Sequence, residues 1–283
     1  MALTINTNLG SLIVQKNLDD ATTALNKSIE RMTTGYKINS AGDDAAGFAV
    51  ATKMDTQLSS ISVAQDNVAM GASMLSTAES NYDLITTHLQ RIRDLTEEAA
   101  NGTYGQDSID AIKAEISARW DEIDRIAAST EFNGIKILNG SQTGGIRLQI
   151  GIDSTANSQL TLAADLFGNS TGQVLSGVAK ATFTGYFTVG GANYGTALNA
   201  IDTALTKVTT RQTQIGAIQN RLESAADALE VQYSNVTSSL STIRDADVAA
   251  ESSEYIKAQI LQQASASLLS TANQTPSIAL SLI

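Results

Sequence analysis

Few side chains in this sequence are suited to chemistry. His88 is the single imidazole, Asp43 and Asp44 are adjacent carboxylates, and there is no cysteine. Paired carboxylates can act as general acid and base, and a histidine can shuttle protons or hold a metal, but each needs convergent partners. The sequence contains no His-Glu-x-x-His run, no Walker loop and no Gly-x-Gly-x-x-Gly turn. Without cysteine there is neither a thiolate metal site nor a disulfide framework. His88 falls beside a helical apolar pattern, where a solvated or partly packed histidine is the ordinary outcome, since metal sites draw on several ligands at once. Asp43-Asp44 precedes a helical stretch, where a carboxylate caps free N–H groups and complements the helix dipole. No catalytic, cofactor-binding or metal-binding residue is therefore assigned. The expectation is a protein without a cofactor that is not an enzyme.

The elements that position these residues are long helices. Aromatics make up 5% of the 283 residues, with one Trp and one Pro, so the rings that fill a thick interior are scarce. Small and straight-chain residues suit narrow helix–helix seams instead. From Leu58 to Ala99 a stripe runs in alternating steps of three and four, with polar exceptions at Gln65, Glu79 and Thr96. A second runs from Leu198 through Tyr233 to Ile243, with exceptions at Gln212 and Gln219. Such spacing keeps one face against a partner helix, as in a coiled coil. Each helix would be roughly 60–70 Å long. A shorter helix is predicted near Asp107 to Ser129, with Ile109, Ile112, Ile116, Trp120 and Ile123 on one face. The Asn101-Gly102-Thr103-Tyr104-Gly105 turn lets the chain double back before it.

After Phe132-Asn133-Gly134 the period changes to two. Ile135 and Ile137, then Ile146, Leu148, Ile150 and Ile152, read as the two arms of a β-hairpin. From about Asp153 to Gly195 the chain is rich in Gly, Ser, Thr and Asn, with a strand-like piece at Phe183 to Val189 and no evident core. This reads as a small β and loop cap. Two amphipathic helices remain at the ends: Leu18, Ala21, Leu25, Ile29 and Met32 near one, Ile256, Ile260, Leu261, Ala264 and Leu268 near the other. Their stripes can be buried by pairing within one molecule or by other subunits, and the sequence leaves both open.

A net charge of -11 disfavours nucleic acid and anionic membranes, both of which are gripped by excess Lys and Arg. The acids concentrate between Glu79 and Glu131, 12 against 5 bases, which reads as a solvated helix face. The opening Met1-Ala2-Leu3-Thr4-Ile5-Asn6 has no basic and apolar leader pattern, so any export is expected to avoid a cleaved classical signal peptide. No stretch approaches the roughly 20 apolar residues of a membrane span.

The segment Met32-Thr33-Thr34-Gly35-Tyr36-Lys37-Ile38-Asn39-Ser40-Ala41-Gly42-Asp43-Asp44-Ala45-Ala46-Gly47 resembles the N-terminal motif of bacterial flagellins. So do Leu89-Gln90-Arg91-Ile92-Arg93-Asp94-Leu95 and Phe132-Asn133-Gly134-Ile135-Lys136-Ile137-Leu138. Near the other end, Ala258-Gln259-Ile260-Leu261-Gln262-Gln263-Ala264 and Ala272-Asn273-Gln274 are similar to the family's C-terminal signature. The resemblance covers residues 1–152 and about 196–283. It implies a mainly α fold: a long antiparallel helical coiled-coil rod with terminal helices and a small β-hairpin and β-loop region in the middle. The implied segments are an inner-core helix at 1–45, rod helices and hairpin at 46–152, a short variable cap at 153–195, a rod helix at 196–243 and an inner-core helix at 244–283. Large outer domains are absent or reduced to the segment after Asp153.

The family's function would make the chain an extracellular subunit of the bacterial flagellum. It would self-polymerise into the filament for motility, with Leu18, Leu25, Ile29, Ile256, Ile260, Leu261 and Leu268 as self-assembly residues. Implied partners are other copies of the chain, a flagellar export chaperone, the cap protein, hook-associated junction proteins and the innate immune receptor TLR5. Export would run unfolded through the flagellar type III apparatus. The positions matching the receptor-binding region are Gln90, Arg91, Leu95, Glu115 and Arg119, where Arg91 and Glu115 also suit an ordinary surface ion pair between antiparallel helices. The alternative is the flagellin-like protein of the hook–filament junction. Such proteins commonly carry proline after the paired aspartates, whereas this sequence reads Asp43-Asp44-Ala45-Ala46-Gly47. A pore-forming translocator would need apolar membrane helices, and an enzyme inserted in the centre would need more room and more ligands.

Overall fold

Long runs rich in Ala, Leu, Gln and Ser favour helix, and four of them dominate the chain. The computed structural model describes residues 7–189, 191 and 193–280. The outermost parts of the expected terminal segments, 1–6 and 281–283, lie outside the described residues. The chain divides into two units: one comprises the residues up to Leu58 with those from Ser234 onward, the other is Ser59–Tyr233.

The first unit holds α1 (Leu9–Thr34), the opening turns of α2 (Ala45–Ala100), the last turns of α6 (Tyr194–Arg244) and α7 (Val248–Leu280). Asn8 caps α1 by accepting from the Ser11 N–H at 3.1 Å. Gly35, at φ 75°, ends it in the left-handed conformation that glycine adopts without strain, its N–H donating to Arg31 O. Helices α1 and α7 lie antiparallel. Asn8 Nδ2 donates to Ala272 O at 2.8 Å, Gln262 Nε2 to Thr22 Oγ1 at 3.1 Å, and Arg31 pairs with Glu251 at 3.5 Å. The links α1–α2 and α6–α7 are stitched together: Lys37 N–H donates to Arg244 O and Ala246 N–H to Gly35 O, both at 2.8 Å.

The second unit pairs the rest of α2 with α3 (Gln106–Ser129) and the rest of α6. Buried residues on α6 recur every seven positions at Ile201, Val208, Ile215, Leu222 and Leu229, and Ile61, Val68, Leu75, Tyr82 and Leu89 do so on α2. Three of the polar seam positions, Glu79, Gln212 and Gln219, bond across it. Gln219 donates to Glu79 at 2.8 Å and Gln212 to Asp83 at 2.7 Å, which also fixes the helices as antiparallel. Thr96 is buried and donates to its own helix at Ile92 O. Tyr233, placed on the seam by spacing, is instead 41% exposed.

The middle of the chain corrects three expectations. Ile135 and Ile146 do not belong to the two arms of one hairpin. The first hairpin closes at once: β1 (Glu131–Phe132) pairs with β2 (Ile135–Lys136) around Asn133 and Gly134, both at positive φ, the two-residue turn that Asn-Gly specifies. Strand β3 (Ile146–Gln149) then pairs with β4 (Gln159–Leu162), Ile146 opposite Leu162, and Ile152 lies beyond its end. Second, Phe183 to Val189 is no strand: after α4 (Gly172–Ser176), α5 (Lys180–Gly185) takes in its first three residues, and the rest is turn and loop. Third, the segment has a core. Leu166, Phe167, Leu175, Phe183 and Phe187 are buried, and Trp120 stands 4.9 Å from Phe183, itself 5.5 Å from Phe187. Phe183 lies on α5 and Phe187 just beyond its end, and α3 supplies the indole that meets Phe183.

Candidate self-assembly surface

The terminal helices touch through their smallest residues. Ala21 and Ser28, seven apart on α1, are buried, as are Ala258 and Ser265, seven apart on α7. With Thr22 bonded to Gln262, the register places Ala21 beside the turn carrying Ser265 and Ser28 beside the turn carrying Ala258. Small side chains let the two backbones come close, with Cα–Cα separations within 8 Å. The large apolar residues are thereby turned away from the seam. Leu12 is 60% exposed, Ile13 59%, Ile260 60% and Leu268 58%. Each side chain of this kind gains about 1.5–3 kcal/mol when fully buried. The ends do pair within one molecule, but the pairing leaves most of the apolar surface bare.

Of the residues singled out by sequence, Ile29, Ile256, Ile260, Leu261 and Leu268 are exposed on these faces. Leu18 and Leu25 are half-buried, flanking the seam at Ala21. Leu9, Leu12 and Ile13 on α1 and Val248 on α7 are bare as well, and the apolar stripes read from sequence do not include them. The spacing of Leu9, Leu12 and Ile13 matches one helix face and would have disclosed them, had Lys16 not broken the stripe.

The paired aspartates hold this unit together rather than reacting. Asp44 is the helix cap, its Oδ1 accepting from the N–H groups of Ala46 and Gly47 at 3.1 and 3.0 Å. Asp43 instead closes the loop before it. Its carboxylate meets Lys27 Nζ at 2.7 Å and accepts from the N–H groups of Asn39 and Ser40, both at 3.1 Å. The bond from Lys27, then those two N–H groups, hold the Asp43 carboxyl well below the usual carboxylate range.

The positions matched to a receptor face lie on α2 and α3. Glu115 Oε1 accepts from Arg119 Nε at 3.0 Å and from Arg91 Nε at 3.2 Å, and these bonds, Arg119's first, lower its pKa. Gln90 is exposed beside them. Leu95 departs from that grouping: it is 2% exposed, packed in the helix seam, and presents no surface to a partner. His88 sits nearby with Nδ1 buried and lacking a hydrogen-bond partner. Burial, then the charge of Arg119, lowers its pKa, which favours the neutral ring. Among the described residues no cluster of His, Asp and Glu could hold a metal, and no helix is long and apolar enough to cross a membrane.

Comparison with known proteins bears on what such a surface is for. The bacterial flagellin N-terminal helical region matches residues 5–143, and the bacterial flagellin C-terminal helical region matches 198–283. The chain is 35% identical to a flagellin of Bacillus subtilis, over 99% of both chains. It is also 35% identical to a flagellar filament 30.7 kDa core protein of Treponema maltophilum, over 95% of both. A flagellar hook-associated protein structure from Vibrio parahaemolyticus shares the fold, with a TM-score of 0.60 at 18% identity, over 72% of this chain and 100% of that one.

Proposed function

This chain belongs to the bacterial flagellin family, and we propose that the apolar residues left bare on α1 and α7 are the contacts through which its copies polymerise. Flagellins are structural subunits of the extracellular flagellar filament and not enzymes, and this chain is such a subunit. The observation that carries the assembly reading is the division of labour on the terminal helices: Ala and Ser within the pair, Leu and Ile outside it. A seam of small residues buries little area, so the ordering entropy of these helices is offset mainly when neighbouring copies cover the large side chains. Folding of the ends is then completed by joining the filament.

The same reading extends to how the subunit reaches its place. It travels unfolded through the flagellar type III apparatus with an export chaperone, and it joins the filament beneath the cap, beyond the hook-associated junction proteins. A chain with no cysteine and one proline suits that passage, since no disulfide must be broken and few slow isomerisations delay refolding. Gln90, Arg91, Glu115 and Arg119 form the face offered to TLR5. Exposure and the Arg91–Glu115–Arg119 network support this, and Leu95 supports it from beneath.

The test is seeded polymerisation of Leu261→Asp and Leu268→Asp, followed by electron microscopy and sedimentation. Both residues are exposed in the subunit, so its helix content should be unchanged. Polymer should be lost, because an unpaired carboxylate would be buried between copies. Normal filaments from both variants would refute the assignment.

A further inference from the structure

In the second unit, α2, the first hairpin and β3 enclose an open cavity of about 300 Å³. Its walls are chiefly apolar, with Met70, Met74, Phe132, Ile135 and Leu148 among them, and Met70 and Ile135 are 52% and 40% exposed at the mouth. Arg147 stands on the rim with no ion-pair partner among the described residues. An apolar socket beside a free guanidinium fits an apolar side chain flanked by carboxylates.

The same unit presents such a feature. Val231 on α6 is 62% exposed, the most exposed large apolar residue in Ser59–Tyr233 that the structure describes. Asp227 and Glu230 precede it by four and one positions, with Glu223 a turn earlier. Residues 223, 227, 230 and 231 share one helix face, and none of the three carboxylates has an ion-pair partner among the described residues. The other exposed apolar side chains of the unit lack this setting. Leu84, for example, has Ser80, Asn81, Thr87 and His88 around it on its face, and the one carboxylate before it, Asp83, is held by Gln212. We propose that the cavity beside Arg147 receives Val231 of a second copy of the chain, with Asp227 and Glu230 of that copy pairing with Arg147.

Socket and knob on different elements of one molecule make a heterologous contact, which generates a helical fibre when rotation does not close a ring. This contact rests on the filament reading above and adds a second adhesion to the one made by α1 and α7. Extending the register set by Asp83–Gln212 and Glu79–Gln219 puts Met70 opposite residues 225–228. Socket and knob therefore lie within about two helical turns of the same level along α2 and α6. Copies joined this way stand side by side with a small step between them.

The chain has no cysteine, so introduced thiols report contacts cleanly. Chains carrying Val231→Cys and chains carrying Ile135→Cys are mixed, co-polymerised with excess wild-type chain on seeds, and treated with a mild two-electron oxidant that takes one proton and one electron from each thiol as the disulfide forms. The expected result is a dimer linking residues 231 and 135, identified by mass spectrometry in filaments and absent when both chains also carry Leu268→Asp. Separately, Arg147→Glu should slow filament growth roughly tenfold, and Glu230→Arg in the same chain should restore it. Filaments that form without the 231–135 dimer, or that grow normally with Arg147→Glu, overturn the proposal and assign the cavity another occupant. They leave the roles of α1 and α7 standing. Failure of wild-type chains to polymerise at all would instead refute the filament reading.

Discussion

The guanidinium carbon of Arg244 lies 4.1 Å from the centre of the Tyr36 ring. The same guanidinium donates to Asp55 at 2.8 Å, while the Arg244 carbonyl accepts from the Lys37 N–H. One residue thus secures both links that lead to the terminal helices. Arg244→Ala should remove the stack and the ion pair, costing about 1–2 kcal/mol. Hydrogen exchange should then quicken at residues 35–38 and 244–246, with the α2–α6 seam unaffected. Unchanged protection there would show that the backbone bridge alone suffices.

Gly47 stands in close approach to two side chains. An added Cβ would stand 2.5 Å from Asp44 Oδ2 and 2.7 Å from Ile38 Cδ1, displacing the cap of α2 or the buried Ile38. Gly47→Ala should lower stability by about 1–2 kcal/mol, the value of a lost cap. Gly102→Ala meets no atom within 4 Å and should be near neutral. Thermal unfolding of the two variants side by side checks the contrast.

Asp43 makes the fold sensitive to acid. Its pKa is depressed in the folded chain by Lys27 and by the Asn39 and Ser40 N–H groups. The stability it contributes is therefore complete above the ordinary aspartate pKa of about 4 and declines as the pH falls toward the depressed value. Asp43→Asn should be less stable than wild type at neutral pH, and the gap should narrow as the solution is acidified through that window. A gap independent of pH would assign the loss to geometry rather than charge.

On α2 and α3 the surface and the core make opposite predictions. Arg91→Ala and Glu115→Ala remove exposed charges, so the fold should survive within about 0.5 kcal/mol while binding to TLR5 weakens. Leu95→Ala opens a cavity in the seam and should cost about 2–5 kcal/mol in stability. Receptor titration beside denaturant unfolding separates them. Unchanged binding by both surface variants would remove the receptor assignment.

The long helices were legible because heptad spacing is a one-dimensional record of a three-dimensional seam: Ile201, Val208 and Ile215 are buried in the order the spacing dictates. The middle was not, because alternation at Ile135–Ile137 and at Ile146–Ile152 marks strands without naming their partners. Asn133-Gly134 carried that information, and β4 was concealed by its polar neighbours. Phe183 and Phe187 alternate as strand residues would, but Phe183 falls on α5 and Phe187 just past it, and Trp120, distant in sequence, supplies the ring that packs on Phe183. For the assembly surface, apolar periodicity located the helices but not which part of each stripe stays bare. Leu18 and Ile260 read alike in sequence, yet Ala21 and Ser265 draw the two helices together so that only Ile260 is left largely in solvent.

Side-chain footprinting with hydroxyl radicals, carried out on subunits and on filaments of the same preparation, tests most directly whether other copies cover that surface. Leu12, Ile13, Ile260, Leu261 and Leu268 should label readily in the free subunit and become strongly protected in the filament, while buried Ile61 stays unlabelled in both. Equal labelling of the five in the two states would mean that polymerisation leaves the terminal helices bare, and would contradict the account.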